Sequence, residues 1–144
     1  MDTKNFVIKQ ISIFSENRPG RLASIAHALG EEKINILAFS IAEANGFGVV
    51  RALVDHPEKA YKKLSSLGFN VAFTDVIAVQ MQDIPGGLYE IAKILGDAQI
   101  NIEYSYAYSG KDAAVLILRV DLIDDAIEKI QKSGATLLER SIFH

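Results

Sequence analysis

Cysteine is absent from the 144 residues. Disulfides, thiolate nucleophiles and cysteine-ligated zinc are therefore excluded. The three histidines, His27, His56 and His144, are scattered without metal-ligand spacing. A surplus of positive charge is also missing. The formal net charge is −3, whereas nucleic-acid binding needs a basic patch. No apolar run approaches the ~20 residues that span a bilayer. The opening stretch MDTKNFVIKQ has no signal-peptide core. Phosphate loops and nucleophile elbows are lacking. The expectation is a cytoplasmic protein without catalytic residues, metal, cofactor, membrane contact or nucleic-acid partner.

What is present is apolar material, 49% of the chain, and a repeat. The segment IFSENRPGRLASIAHALGEEKINI resembles VQMQDIPGGLYEIAKILGDAQINI. Pro85-Gly86 follows Pro19-Gly20 by 66 positions (85 − 19). The same offset pairs Leu22 with Leu88, Ile25 with Ile91, Leu29 with Leu95 and Ile34-Asn35-Ile36 with Ile100-Asn101-Ile102. It continues through Val54-Asp55 and Val120-Asp121, Ala60 and Ala126, and Gly68 and Gly134. One ungapped register across such different local patterns marks a duplication.

Each copy reads as strand, helix, strand, strand, helix, strand. In the first, alternation predicts a strand over 7–15. Pro19 suits a helix start, and Leu22, Ile25 and Leu29 follow at helical spacing. Gly30 and Gly96 fit helix ends. Strands are expected over 34–43 and 47–55, joined by an Asn45-Gly46 hairpin turn. Ser109-Gly110-Lys111 is its counterpart. A helix from Pro57 to Gly68 and a strand over 70–74 complete the copy. The second copy ends with a helix over 123–133 and a strand over 135–141. The order predicts an α+β fold of two ferredoxin-like βαββαβ units, antiparallel sheets with helices on one face, divided as 1–74 and 75–144. The run 71–81, free of Gly and Pro, must carry strand from one copy into the next. Units this small are marginal alone.

Asn17-Arg18-Pro19-Gly20-Arg21-Leu22, a helix, then Asn35-Ile36 at a strand start resemble the ACT domain. Asp83-Ile84-Pro85-Gly86-Gly87-Leu88 and Asn101-Ile102 repeat the pattern. The resemblance covers about 7–142 and leaves no room for an attached enzyme. It implies a stand-alone sensor, not an enzyme, that binds a free amino acid at the junction of two ACT units. It further implies regulation of amino-acid metabolism or transport in trans. The site residues it implies are Ser15, Asn17, Pro19, Gly20, Leu22 and Asn35 with Ile36. The second copy supplies Met81, Asp83, Gly86, Gly87, Leu88 and Asn101 with Ile102. The alternative is a ligand-independent interaction subunit of an enzyme or transporter.

Elementary chemistry supports such a site. A helix's first turn offers unpaired N–H groups and a positive dipole end to a carboxylate. Asparagine side chains can accept from an ammonium. Arg18 and Arg21 are further carboxylate partners, or solvated loop charges. Asn17 and Asp83 also read as helix caps, and Asn35 and Asn101 as turn residues. Asp83 is the one carboxylate placed for a general base, should the cleft be catalytic. Tyr104, Tyr106 and Tyr108 share a strand face where the first copy has Ala38, Ser40 and Ala42; packing, an aromatic ligand and a partner subunit are all open readings. Val49, Leu53, Val115 and Ile117 make the face opposite the helices partly apolar. That predicts cover by a second copy, a homodimer, with Arg51 and Arg119 pairing across it.

Overall fold

In a computed structural model of the protein, residues 3–109 and 113–144 are described. The elements are β1 (Ile8–Glu16), α1 (Arg21–Glu31), β2 (Ile36–Ala44), β3 (Phe47–Val54), α2 (Pro57–Ser66), β4 (Asn70–Met81), α3 (Gly87–Asp97), β5 (Ile102–Ser109), β6 (Ala114–Val120) and α4 (Ile123–Ser133). Short 3-10 turns lie at Lys4–Phe6 and Arg140–Ile142. Two compact units result. The first comprises Lys9–Thr74 with Phe143–His144. The second comprises Asp75–Ile142 with the N-terminal stretch through Ile8. β4 runs unbroken through the boundary, as the gap-free sequence 71–81 requires.

In the first unit the strand order is β2-β3-β1-β4. Alternation along β1 sends Ile11 and Ile13 under the helices, where they meet Val50, Ala52 and Val54 of β3. Ile25 and Leu29 of α1, with Ala60 and Leu64 of α2, close this core. In the second unit the order is β4-β6-β5. Ile77 and Val79 pack with Leu116, Leu118 and Val120 beneath Ile91, Leu95, Ala126 and Ile130. These residues correspond one to one at the 66-residue offset. The duplication thus preserves the buried positions, where each large aliphatic side chain contributes about 1.5–3 kcal/mol.

Helix ends depart from expectation. Gly30 and Gly96 lie inside the last turns of α1 and α3. The left-handed residues are Lys33 (φ 57°) and Gln99 (φ 60°). Ile34 N–H donates to the Leu29 carbonyl, and Lys33 N–H to that of Gly30. This is a Schellman closure, and burial of Ile34 against Leu29 holds the strained lysine in place. Asn45 and Gly46, both at positive φ, form the predicted hairpin turn. Gly110 and Lys111 of its counterpart lie outside the described residues.

One expectation fails. The strand over 135–141 shrinks to a bridge between Val79 and Leu137. Its backbone bonds are Gln80 N–H to Thr136 O (2.8 Å) and Leu138 N–H to Ala78 O (2.9 Å). The chain then turns, and the Arg140 guanidinium donates to the carbonyls of Lys4 and Val7. Arg119, for which pairing across a dimer is expected, binds Glu103 (3.1 Å) and the Asp75 carbonyl (2.8 Å) within its own unit. Val76, Ala78 and Ile117 on that face are already fully buried within the single chain.

Candidate functional site

Both helix starts are built by one device. Gly20 sits at φ 89°, ψ −11°, and Gly86 at φ 90°, ψ −9°. With proline before each, these are the third positions of type II turns. The turns close with Arg21 N–H on the Arg18 carbonyl (3.2 Å) and Gly87 N–H on that of Ile84 (3.0 Å). Proline therefore precedes the helix by two residues instead of opening it. Glycine is needed for the backbone angle, since a β-carbon on either would meet nothing within 4 Å.

The turn consumes the first helical N–H in each loop. Ser24 and Glu90 donate back to Gly20 and Gly86. Between them, the amides of Leu22 and Ala23, and of Leu88 and Tyr89, find no acceptor among the described residues. Each loop thus presents two free donors at the positive end of a helix. Asn17 and Asp83 do not cap: neither helix has a side-chain cap. Asn17 N–H donates instead to Gly46 O (2.8 Å), which ties the loop to the β2–β3 hairpin. Arg18 lies 3.4 Å from Glu16.

Asn35 and Asn101 belong to a second device. Asn35 N–H donates to the Asp55 carboxylate (3.0 Å), and Asp55 N–H returns to the Asn35 carbonyl (3.2 Å). Asn101 and Asp121 repeat the clasp at the same distances. It fixes the helix-to-strand turn through the backbone and leaves both asparagine side chains exposed. Within a unit the loop and the asparagine stand at opposite ends of the sheet. Glu16 registers with Phe47, whereas Ile36 registers with Val54. Seven residues of strand separate those rows, roughly 24 Å at ~3.4 Å per residue. Ile36 and Ile102 are half-buried packing residues of the two cores.

The loops differ inside. A β-carbon on Gly87 would run into the Gln82 carbonyl oxygen, so the second loop is drawn tight. Arg21 occupies the equivalent place in the first, its Nε buried without a partner. Beside the second loop opens a cavity of about 360 Å³. Of the sequence-derived set, Met81 and Gly87 line it. Sequence reading missed its other walls, among them Glu90 and Ile94 of α3 and Ala135 after α4. The substitution of Ala135 for Phe69 was the available signal. Leu88 and Tyr89 are exposed apolar residues on the first turn of α3. The three tyrosines are half-buried on β5 opposite Arg119, Ile117 and Val115. Burial raises the Tyr108 hydroxyl above its ordinary pKa. Among the described residues no three His, Asp or Glu side chains could hold a metal ion together, and no helix is long and apolar enough to cross a membrane.

The sequence over residues 6–141 matches the family described as an ACT domain pair. Protein BT0572 from Bacteroides thetaiotaomicron is similar in structure at a TM-score of 0.90 and 37% identity, over 94% of each chain. The ligand-free regulatory subunit of aspartate kinase from Thermus thermophilus shares the fold at a TM-score of 0.66 and 14% identity, over 90% of this chain and 94% of that one. The corresponding subunit from Thermus flavus gives 0.61 and 12%, over the same shares. No curated protein matches the sequence.

Proposed function

Since the chain belongs to the ACT domain pair family, we propose that it is a non-catalytic sensor of a free amino acid. It regulates an enzyme or transporter of amino-acid metabolism in trans. One observation carries this reading: each unit opens a helix with a Pro-Gly turn that leaves two adjacent N–H groups without acceptors among the described residues. A carboxylate is the natural occupant of such a pair, because donors and dipole both favour it. The first loop also carries Arg21 and Arg18, the latter 3.4 Å from Glu16. The exposed amide of Asn17 and the carboxylate of Asp83 are acceptors for the ammonium. Aspartate kinase regulatory subunits of the same fold offer a precedent for acting on a biosynthetic enzyme.

Isothermal titration with each of the twenty amino acids tests the reading. Heat is expected from one or a few chemically related ones. Silence from all twenty sinks it and leaves the ligand-independent interaction subunit. For the homodimer, support comes from an apolar groove of about 250 Å³ in the first unit, lined by Phe14, Ala42, Phe47 and Val49. Phe47 is 66% exposed there. Analytical ultracentrifugation should find dimers that Phe47→Asp converts to monomers.

A further inference from the structure

We propose that the second unit holds a separate binding cavity for a small primary amine with a short apolar tail. Protein interiors are close-packed, and ligand pockets typically run from ~300 to ~1,000 Å³. The hollow beside α3, about 360 Å³, is of that size. It owes its existence to two departures from the repeat. Where the first unit has Arg21, with its Nε buried, and Phe69, packed on the core, the second has Gly87 and Ala135. Two large side chains are thus replaced by a hydrogen and a methyl group on the cavity walls.

Lining chemistry selects the ligand. Among the described residues Glu90 is the one ionisable side chain on the walls, and no lysine or arginine lines them to balance an anion. The Ser133 hydroxyl donates to the Ile130 carbonyl (2.6 Å) and accepts from the Ala135 N–H (3.3 Å), so only its remaining lone pair can face a ligand, as an acceptor. Gln80, Gln82 and Thr136 offer further acceptor oxygens. The residues that end α4 form one wall and contribute the negative end of its dipole. Ile91 and Ile94 supply apolar surface for a tail of a few carbons. α3 also begins on this wall, but its free N–H groups belong to Leu88 and Tyr89, which do not line the cavity, and among the described residues no cation does; that separates this ligand class from the zwitterion proposed for the loops.

The test is an NMR titration of the full chain with n-butylamine hydrochloride, and with sodium butyrate at matched ionic strength. Butylammonium should shift resonances of α3 and of residues 133–136, with butyrate at least about tenfold weaker, as expected when a charge-assisted hydrogen bond is lost. Ala135→Phe, which restores the first unit's aromatic residue, should abolish the shifts. Glu90→Gln should weaken binding by about tenfold, and Glu90→Lys should remove it. Because Glu90 is exposed, these two variants test the idea even if Ala135→Phe misfolds. No response to butylammonium in the wild type, an equal response to butyrate, or undiminished binding in folded Ala135→Phe or in Glu90→Lys would each overturn the proposal.

Discussion

At the start of α1 the residue after the Pro-Gly turn is Arg21; at the start of α3 it is Gly87. The backbones around them are the same to within a few degrees, with Gly20 at φ 89° and Gly86 at φ 90°. Their interiors are not. One loop carries a guanidinium partly withdrawn from water, and the other closes onto the Gln82 carbonyl beside an open cavity. Duplication has kept the turn, the clasp and the buried aliphatics, while the space between loop and second helix has diverged. What the two units share is therefore folding, and what separates them is the space beside the loop.

Exchanging the diverged residue between the two loops should have the largest effect. Gly87→Arg should cost about 3 kcal/mol or more, because its β-carbon collides with backbone that cannot move aside as a side chain would. The reverse change, Arg21→Gly, should cost only about 1 kcal/mol, the glycine penalty in a helix. Urea unfolding measures both, and equal costs would mean that the loops do not differ inside. Gly20→Ala and Gly86→Ala should instead behave alike. Each forces an L-residue to positive φ at about 1–2 kcal/mol. A difference above 1 kcal/mol between them would show that the shared turn is not equally strained.

The clasps come next. Asp55→Ala and Asp121→Ala each free one backbone N–H, at about 1 kcal/mol apiece. Thermal denaturation should rank them as equal. The smallest effect belongs to the first unit alone. There the Lys9 ammonium, 3.0 Å from Glu58, holds that carboxyl below its ordinary value of 4.5. A lowered folded pKa stabilises above the unfolded value and is lost as the pH falls through the folded one. This exposed pair should contribute a few tenths of a kcal/mol near neutrality. The contribution should fade below about pH 4.5 and be missing at every pH in Lys9→Met, as stability-versus-pH curves of the two proteins can check.

Much of this was legible before any coordinates. Period-two and period-3.6 patterns placed Ile11, Ile13, Ile25 and Leu29 in a core, and the 66-residue register carried each to its twin. Local signals misled where they have two physical uses. Pro19-Gly20 reads as a helix start, yet a type II turn needs the same dipeptide, and the turn won because it satisfies the Arg21 N–H. Gly30 and Gly96 invite assignment as helix terminators, but burial of Ile34 and Ile100 pushed the left-handed turn onto Lys33 and Gln99. Asp55 and Asp121, like Asn35 and Asn101, were visible as matched pairs; that each aspartate clasps the asparagine twenty positions before it was not.

The sequence by itself determined the duplication, the element order, the core and the glycines demanded by positive φ, because periodicity and backbone sterics act on neighbours along the chain. Tertiary structure alone decided that Arg119 bonds within its own unit, that the last strand shortens to a bridge, and that Gly87 and Ala135 share a cavity. Those outcomes depend on distances between residues far apart in sequence, and such distances exist only once the chain has folded.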